Sequence, residues 1–391
     1  MVETNGSSAA SAQPAGTPSA RPPFRADHVG SLLRPAELKR AREEYAAGKL
    51  DAAGLRAAED TAIREVVAMQ REAGLRTATD GEFRRASWHM DFIYSLGGIE
   101  RVEEEGLHVT FHNPEGDIEF NPPAAHVTER ISLPRTVFAE AFEFLRDTAG
   151  SGVTPKLTIP SPSMVHYRGG RTAISADVYP ELEGFWADLS AAYAAQIQGV
   201  HRLGCRYLQL DDTSLAYLND PEQRQYVAGL GGDAEHQHET YIATINRALA
   251  GRPSDLTVTT HMCRGNFASS WVASGGYDFV AEALFGGLDV DGFFLEYDDE
   301  RSGDFAPLRF VPKGKRVVLG LVTTKRPELE SKDALKRRID EAARYVDLDQ
   351  LCISPQCGFS STVEGNKLTA DDQRRKLELI VETATEVWGA L

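Results

Sequence analysis

The chain has 391 residues, with 42 Lys+Arg against 58 Asp+Glu, a net charge of −16 and 42% hydrophobic residues. It is long enough to bury a large core and too acidic for a nucleic-acid partner, whose phosphates are bound by clustered Lys and Arg. No stretch reaches the eighteen or so apolar residues that span a bilayer, and the N-terminus lacks a basic segment followed by an apolar one, so a cytoplasmic protein with no membrane partner is expected.

Residues 1–22 are rich in Ser, Ala, Gly, Pro and Thr, with almost no large apolar side chain, and read as a disordered leader. Residues 23–391 hold no linker long enough to separate two cores and read as one domain. Short apolar segments then recur in order: Phe24–His28, Thr77–Glu82, Pro155–Pro160, Tyr207–Asp212, Leu256–Cys263, Gly292–Tyr297, Arg316–Val322 and Leu351–Cys357. Amphipathic stretches with apolar residues every three or four positions lie among them: Ala36–Ala47, Ala57–Ala73, Asp177–Leu203, Glu235–Leu249, Lys332–Tyr345 and Ala370–Trp388. Strand alternating with helix, repeated about eight times, predicts an α/β fold of the (β/α)8 TIM-barrel type. The long interval between the second and third strands contains TFHNPEGDIEFNPP, where NPEGD reads as the turn of an inserted β-hairpin. Between the sixth and seventh strands there is room only for a short helix near Pro307–Phe310.

Chemistry in such a barrel sits where strands run out into the loops that follow them. Those ends carry Asp27 and His28, Asp80 and Glu82, Ser161 and Ser163, Asp211 and Asp212, His261 and Cys263, Glu296, Thr323 to Lys325, and Cys357. His261 and Cys263 stand at i and i+2 of one strand and point the same way. With Cys357 and Glu296 they form a set whose imidazole, two thiolates and carboxylate suit zinc. Two thiolates already offset the metal's charge, which makes the site better at holding a further thiolate than at polarising a carbonyl. A free thiol is mostly protonated at neutral pH, and coordination removes that proton, so alkylation of a substrate thiol is the chemistry implied.

Asp211, Glu82 and Asp80 could hold an ammonium group, and Ser31 with the Gly30 backbone a carboxylate. Structural alternatives stand beside these: Asp80–Gly81 is a turn former, Ser31 could cap the helix that starts near Pro35, and Asp211–Asp212 could pair with an arginine. The four cysteines are too few for a disulfide framework in so long a chain. Cys352 lies an odd number of positions from Cys357, which along one strand turns it to the other face as a core thiol. Cys205 precedes its strand and reads as structural. Trp88 and His89 could lie over the mouth as part of the donor pocket but are expected rather to pack the inserted hairpin, and His236 and His238 to face solvent.

Together THMCRGN, GFFLEYDDERSGDF, LCISPQCGF, DHVGSLLRP and TDGEFRR resemble the cobalamin-independent methionine synthase family, and more closely its single-barrel members, from Phe24 to the C-terminus. The resemblance implies zinc held by His261, Cys263, Glu296 and Cys357, and homocysteine bound by Ser31, Glu82 and Asp211. QLDD resembles the family's Gln-x-Asp-Glu and places Asp212 near the methyl donor. In GLVTTKRP this sequence offers Lys325 where a histidine able to protonate the departing pterin would be sought, and His28 completes the donor-side candidates. The expected activity is a zinc-dependent transfer of a methyl group from a methyltetrahydrofolate-like or other small donor to the zinc-bound thiolate of homocysteine, giving methionine. An epoxyalkane:coenzyme M-type thiol alkyltransferase and a metal-free enzyme like uroporphyrinogen decarboxylase are the alternatives. The partners expected are small molecules, with a homo-oligomer allowed.

Overall fold

Parallel strands buried on both faces read as near-continuous apolar runs, and the helices between them cover the sheet with one apolar stripe each. A computed structural model describes residues 21–102, 109–113, 115–121 and 124–389 of the chain. Residues 1–20 of the expected leader lie outside the described residues, as do 103–108, 114, 122 and 123 in and around the expected hairpin.

In chain order the strands are β1 (Thr77–Ala78), β2 (Gly97–Val102), β3 (Val109–Phe111), β4 (Ile118–Phe120), β5 (Ala124–Ser132), β6 (Thr154–Pro155), β7 (Leu157–Pro160), β8 (Tyr207–Asp212), β9 (Thr257–Met262), β10 (Gly292–Glu296), β11 (Arg316–Val322) and β12 (Leu351–Pro355). The strands β7 to β12 form one six-stranded parallel sheet in sequential order. Such an order requires a crossover between neighbours. Helices Leu182–Arg202, Gln237–Leu249, Ala281–Gly287 and Lys332–Ala342 supply four of the crossovers. Only 3-10 turns, Glu300–Ser302 and Ala306–Phe310, join β10 to β11, which agrees with the short connection expected there. The helix Leu182–Arg202 buries Phe185, Leu189, Tyr193, Ile197 and Val200, the spacing of a single packed stripe. The last helix, Ala370–Trp388, starts in a capping box between Thr369 and Asp372.

Both edges of the sheet are approached by the N-terminal segments. Beside β12, Ala26 bridges Ile353 in parallel, with Asp27 N–H donating to Ile353 O at 3.1 Å and Ile353 N–H to Arg25 O at 2.9 Å. At the other edge β6 leads into β7 and pairs in parallel with β1. The first two expected strands are therefore much shorter than their apolar runs. Phe24–His28 makes a single bridge, and Thr77–Glu82 ends after Ala78 because Gly81 (φ 67°) and Glu82 (φ 63°) both adopt left-handed backbone. Side chains and loops join these two segments: Thr79 Oγ1 donates to Gly30 O at 2.6 Å and Leu32 N–H to Gly81 O at 3.2 Å. The interval between β1 and β6 holds two antiparallel pairs, β2 with β5 and β3 with β4.

Register determines what lies side by side on the sheet. Asp211, His261, Phe294, Val318 and Cys352 are successive partners across β8 to β12. One layer further toward the strand ends, Glu296, Gly320 and Ser354 are partners across β10 to β12. Val29, Phe294, Val318 and Cys352 form a separate buried apolar cluster. Cys352 thus shares a register row with His261, contrary to the face expected from its spacing to Cys357. Alternation does not carry to Cys357, because β12 ends at Pro355 and the chain turns into a loop. All four cysteines are free and buried, with Cys205 donating to Tyr207 O at 3.3 Å and burial pushing its thiol up to about 12.

Candidate metal and substrate site

β9 ends at Met262, so His261 projects from the strand and Cys263 from the first residue of its loop, while Cys357 follows β12. The ligand atoms of these three residues lie within 4.8 Å of one another, all buried, and the two sulfurs are 3.3 Å apart. Neither ring nitrogen of His261 has a hydrogen-bond partner among the described residues. A buried imidazole left unsatisfied beside two thiols is costly unless something else engages it. The donor set, one imidazole and two sulfurs, fits a borderline-soft cation such as zinc. The hydrogen bond from Cys263 and the neighbouring imidazole hold the Cys357 thiol well below its usual range against burial, while that same bond and burial push Cys263 well above it. Burial alone would lower His261; the adjacent Cys357 sulfur, Asp211 and Glu296 reverse this and raise it.

The loops bearing the two cysteines are tied together. Asn266 Nδ2 donates to Gly358 O at 2.8 Å and to Ser361 Oγ at 3.2 Å. Arg264, fully buried beside Cys263, donates from Nε to Gly275 O at 2.8 Å and from Nη1 to Tyr277 Oη at 3.1 Å and Glu296 O at 3.0 Å. With Nη2 donating to Gly276 O at 3.3 Å as well, four hydrogen bonds from one rigid guanidinium to backbone carbonyls and a phenol fix the turn after Cys263.

Glu296, the fourth ligand expected, falls outside the 4.8 Å group. Its Oε2 accepts from Arg264 N–H at 3.0 Å, and its Oε1 faces Arg301 Nη2 at 3.0 Å and Lys325 Nζ at 3.2 Å. Burial would raise this carboxyl, but Lys325, Arg301 and Arg264 outweigh it and hold it at about 2. Lys325 is held in turn by Asp298, 2.9 Å away, and does not line the cavity described next. Its expected place beside the donor is therefore corrected: opposite charge draws its ammonium behind Glu296.

A cavity of about 370 Å³ opens over the cysteines and is lined at its inner end by Ser31, Glu82, Asp211, Asp212, His261, Cys263 and Cys357. All three residues expected to hold homocysteine thus line the same cavity as His261, Cys263 and Cys357. Glu82 is presented by its left-handed backbone, a conformation rare outside glycine and seen most at functional sites. Its Oε1 accepts from Thr158 Oγ1 at 2.7 Å and lies 3.4 Å from Arg85 Nη1. Asp211 accepts from Gln209 Nε2 at 2.7 Å, and burial raises its carboxyl to about 7, Glu82 adding to the rise and His261 opposing it. Asp212 is more committed: it accepts from Ser163 Oγ at 2.6 Å, Ser214 Oγ at 2.7 Å and Leu215 N–H at 2.8 Å. Asp80 has a turn role as well, accepting from Glu82 N–H at 2.9 Å.

His28 is corrected more strongly. It does not line the cavity, its ring is fully buried, and burial followed by Lys156 lowers it to about 3, which favours the neutral form. Its neighbours explain the placement: Asp27 accepts from Tyr207 Oη at 2.9 Å and pairs with Lys156 at 3.4 Å, and Lys156 lies 4.2 Å from the Phe294 ring centre. That charge cluster holds the first segment inside the fold.

The outer wall of the cavity is built from aromatic and basic side chains. Trp88 and His89, for which packing was expected ahead of a place over the mouth, line the cavity, with ring centres 4.4 Å apart. Phe111 of β3 and Phe120 of β4 line it too, lying 5.1 and 5.0 Å from Phe267. Arg101 and Arg168 add positive charge. The β3–β4 pair is pinned to the loop after Cys263, His112 N–H donating to Trp271 O at 2.6 Å and Trp271 N–H to His112 O at 3.1 Å. Arg264 directly follows Cys263 in MCRGN, and Arg301 lies five residues after Glu296 in EYDDERS, with no sequence signal that joins it to that carboxylate. Of the two histidines expected in solvent, His236 is exposed, whereas His238 is buried with its ring 5.3 Å from Phe279. No helix among the described residues is long and apolar enough to cross a membrane.

Known proteins resemble this chain over nearly its whole length. The family described as "Cobalamin-independent synthase, Catalytic domain" matches residues 160–386. YxjH of Bacillus subtilis, whose function is uncharacterised, is 49% identical over 94% of this chain and 95% of its own. Methionine synthase of Pyrococcus abyssi is 24% identical over 85% of each chain. Among solved structures, a Listeria monocytogenes protein provisionally assigned as a vitamin-B12-independent methionine synthase is 38% identical, with a TM-score of 0.76 over 95% of this chain and 100% of that one.

Proposed function

Because the chain belongs to the cobalamin-independent methionine synthase family, we propose that it is a zinc-dependent methyltransferase that moves a methyl group from a methyltetrahydrofolate-like or other small donor to the sulfur of homocysteine, giving methionine. The observation that carries the reading is the convergence of His261, Cys263 and Cys357 at the inner end of a cavity also lined by Ser31, Glu82 and Asp211. The scaffold is read as a (β/α)8 barrel whose first strands are the segment at Ala26, β1, and β6 with β7, supported by the pairing at both edges of the six-stranded sheet.

Zinc would be held by His261, Cys263 and Cys357, with Glu296 as the exchangeable fourth ligand, and would supply the positive charge that removes a thiol proton at neutral pH. The residues of the chain do the rest. Glu82 and Asp211 hold the ammonium group of the incoming amino acid, and Ser31 its carboxylate, which fixes the sulfur beside Cys263 and Cys357. Trp88, Phe111, Phe120 and Phe267 exclude water and present a flat apolar wall to the donor. The sulfur lone pair forms the S–CH3 bond as the bond from methyl to donor breaks, its electron pair staying on the donor, which takes up a proton from solvent where it leaves as an amine; such an in-line displacement depends on orientation. Acids rather than arginines among the residues at the inner end of the cavity favour an amino-bearing thiol over a sulfonate-bearing one such as coenzyme M.

The test is methionine formation from L-homocysteine with methyltetrahydrofolate and with methylcobalamin as donors. Chelator-treated protein is expected to lose activity with either donor and to regain it with about one equivalent of zinc. Undiminished activity after complete removal of metal would refute the proposal.

A further inference from the structure

The contacts of Glu296 define a second resting place for its carboxylate. Glu296 stands one layer beyond Phe294, the partner of His261 across β9 and β10, and its Oε2 accepts from the backbone N–H of Arg264, the residue after Cys263. The carboxylate is therefore adjacent to the metal ligands, yet two cations engage its Oε1: Arg301 Nη2 at 3.0 Å and Lys325 Nζ at 3.2 Å. Each cation has a second carboxylate of its own, Asp299 for Arg301 at 3.1 Å and Asp298 for Lys325 at 2.9 Å. Either can release Glu296 without becoming an unpaired charge in a buried setting, which is what makes the contact reversible.

We propose that Lys325 and Arg301 are positioning residues that receive the Glu296 carboxylate when a substrate thiol takes its place on zinc. The proposal rests on the zinc and thiol reading above. In the exchange a zinc–oxygen bond breaks, a zinc–sulfur bond forms, and the thiol proton leaves to solvent. One anionic ligand replaces another, so the charge on the metal's donor set does not change. The displaced carboxylate is the group left in need of a counter-charge, in a place where water cannot supply one. Lys325 and Arg301 supply it and so lower the cost of admitting the thiol.

The experiment is calorimetric titration of the zinc-loaded protein with L-homocysteine, with zinc content measured for each variant. Lys325→Met is expected to keep its zinc and weaken homocysteine binding about tenfold, the order of effect expected when a hydrogen bond to a charged group is lost. Lys325→Arg should bind within about twofold of the unaltered protein, because the positive charge is kept. In a Glu296→Gln background no carboxylate has to be received, and Lys325→Met should then have no further effect. Arg301→Gln gives an independent reading with the same expected direction.

Unchanged homocysteine affinity in both single variants would overturn the proposal, as would an equal loss with and without Glu296. Loss of zinc from Lys325→Met and Arg301→Gln alike would overturn it too, by making the cations structural supports of the metal site. Failure of the underlying reading is visible earlier and separately: the unaltered protein would then hold no zinc, or its zinc would show no heat with homocysteine.

Discussion

Replacing Cys357 or Cys263 by Ser is expected to lower zinc affinity by at least about a hundredfold, the upper end of what changes to outer-shell partners of metal ligands cost, and to abolish methyl transfer. The two sulfurs are 3.3 Å apart and share the inner end of the cavity with His261, so each removes a soft donor from a set of three. A hydroxyl keeps the size of the side chain but is neither ionised at neutral pH nor soft enough to replace a thiolate. Cys352→Ser is the control. Cys352 lies in an apolar cluster with Val29, Phe294 and Val318, so this change should keep the zinc and cost only stability. Elemental analysis of the purified variants checks the prediction, and zinc retained at full occupancy in both the Cys263 and Cys357 variants would sink it.

The second large effect is expected at Asp211. Asp211→Asn should weaken homocysteine binding by roughly ten- to a hundredfold, the range for a lost hydrogen bond between charged groups. It should also remove one limb of the pH dependence. Burial raises the Asp211 carboxyl to about 7, so the group is charged above that value and neutral below it. Only the charged form attracts an ammonium ion. Affinity for homocysteine should therefore fall as pH drops through about 7, and the complex, which favours the charged form, should lower this carboxyl and release a proton on binding. In the Asn variant affinity should be weak and lack that limb. Calorimetry in two buffers of different ionisation heat measures the proton released, and an identical pH profile in both proteins would remove Asp211 from ammonium recognition.

The repeating pattern of the fold was legible because each buried parallel strand reads as an apolar run and each covering helix as one stripe. Residues such as Leu189, Tyr193, Ile197 and Val200 carry that stripe without ambiguity. The grouping of His261 with Cys263 was legible because the two sit at a strand end, where alternation still applies. Alternation misled at Cys352, since the chain leaves β12 at Pro355 before it reaches Cys357. The second strand was read too long because Thr77–Glu82 looks extended in composition, whereas Gly81 and Glu82 turn into left-handed backbone. Lys325 and His28 were placed by position at strand ends. What decides where such side chains point is charge and burial from distant segments: Glu296 and Asp298 draw Lys325 away from the cavity, and burial beside Lys156 favours the neutral form of His28. The outer wall was the least legible part, because Trp88, Phe120 and Phe267 come from separate loops and hairpin strands with no common period.

Zinc-edge X-ray absorption, recorded on the purified protein with and without L-homocysteine, bears most directly on thiol activation at His261, Cys263 and Cys357. The expected result is about one zinc per chain, with one sulfur ligand gained and one oxygen ligand lost when homocysteine is added. Zinc whose ligand shell is the same in both samples, or protein that takes up no zinc, would contradict it.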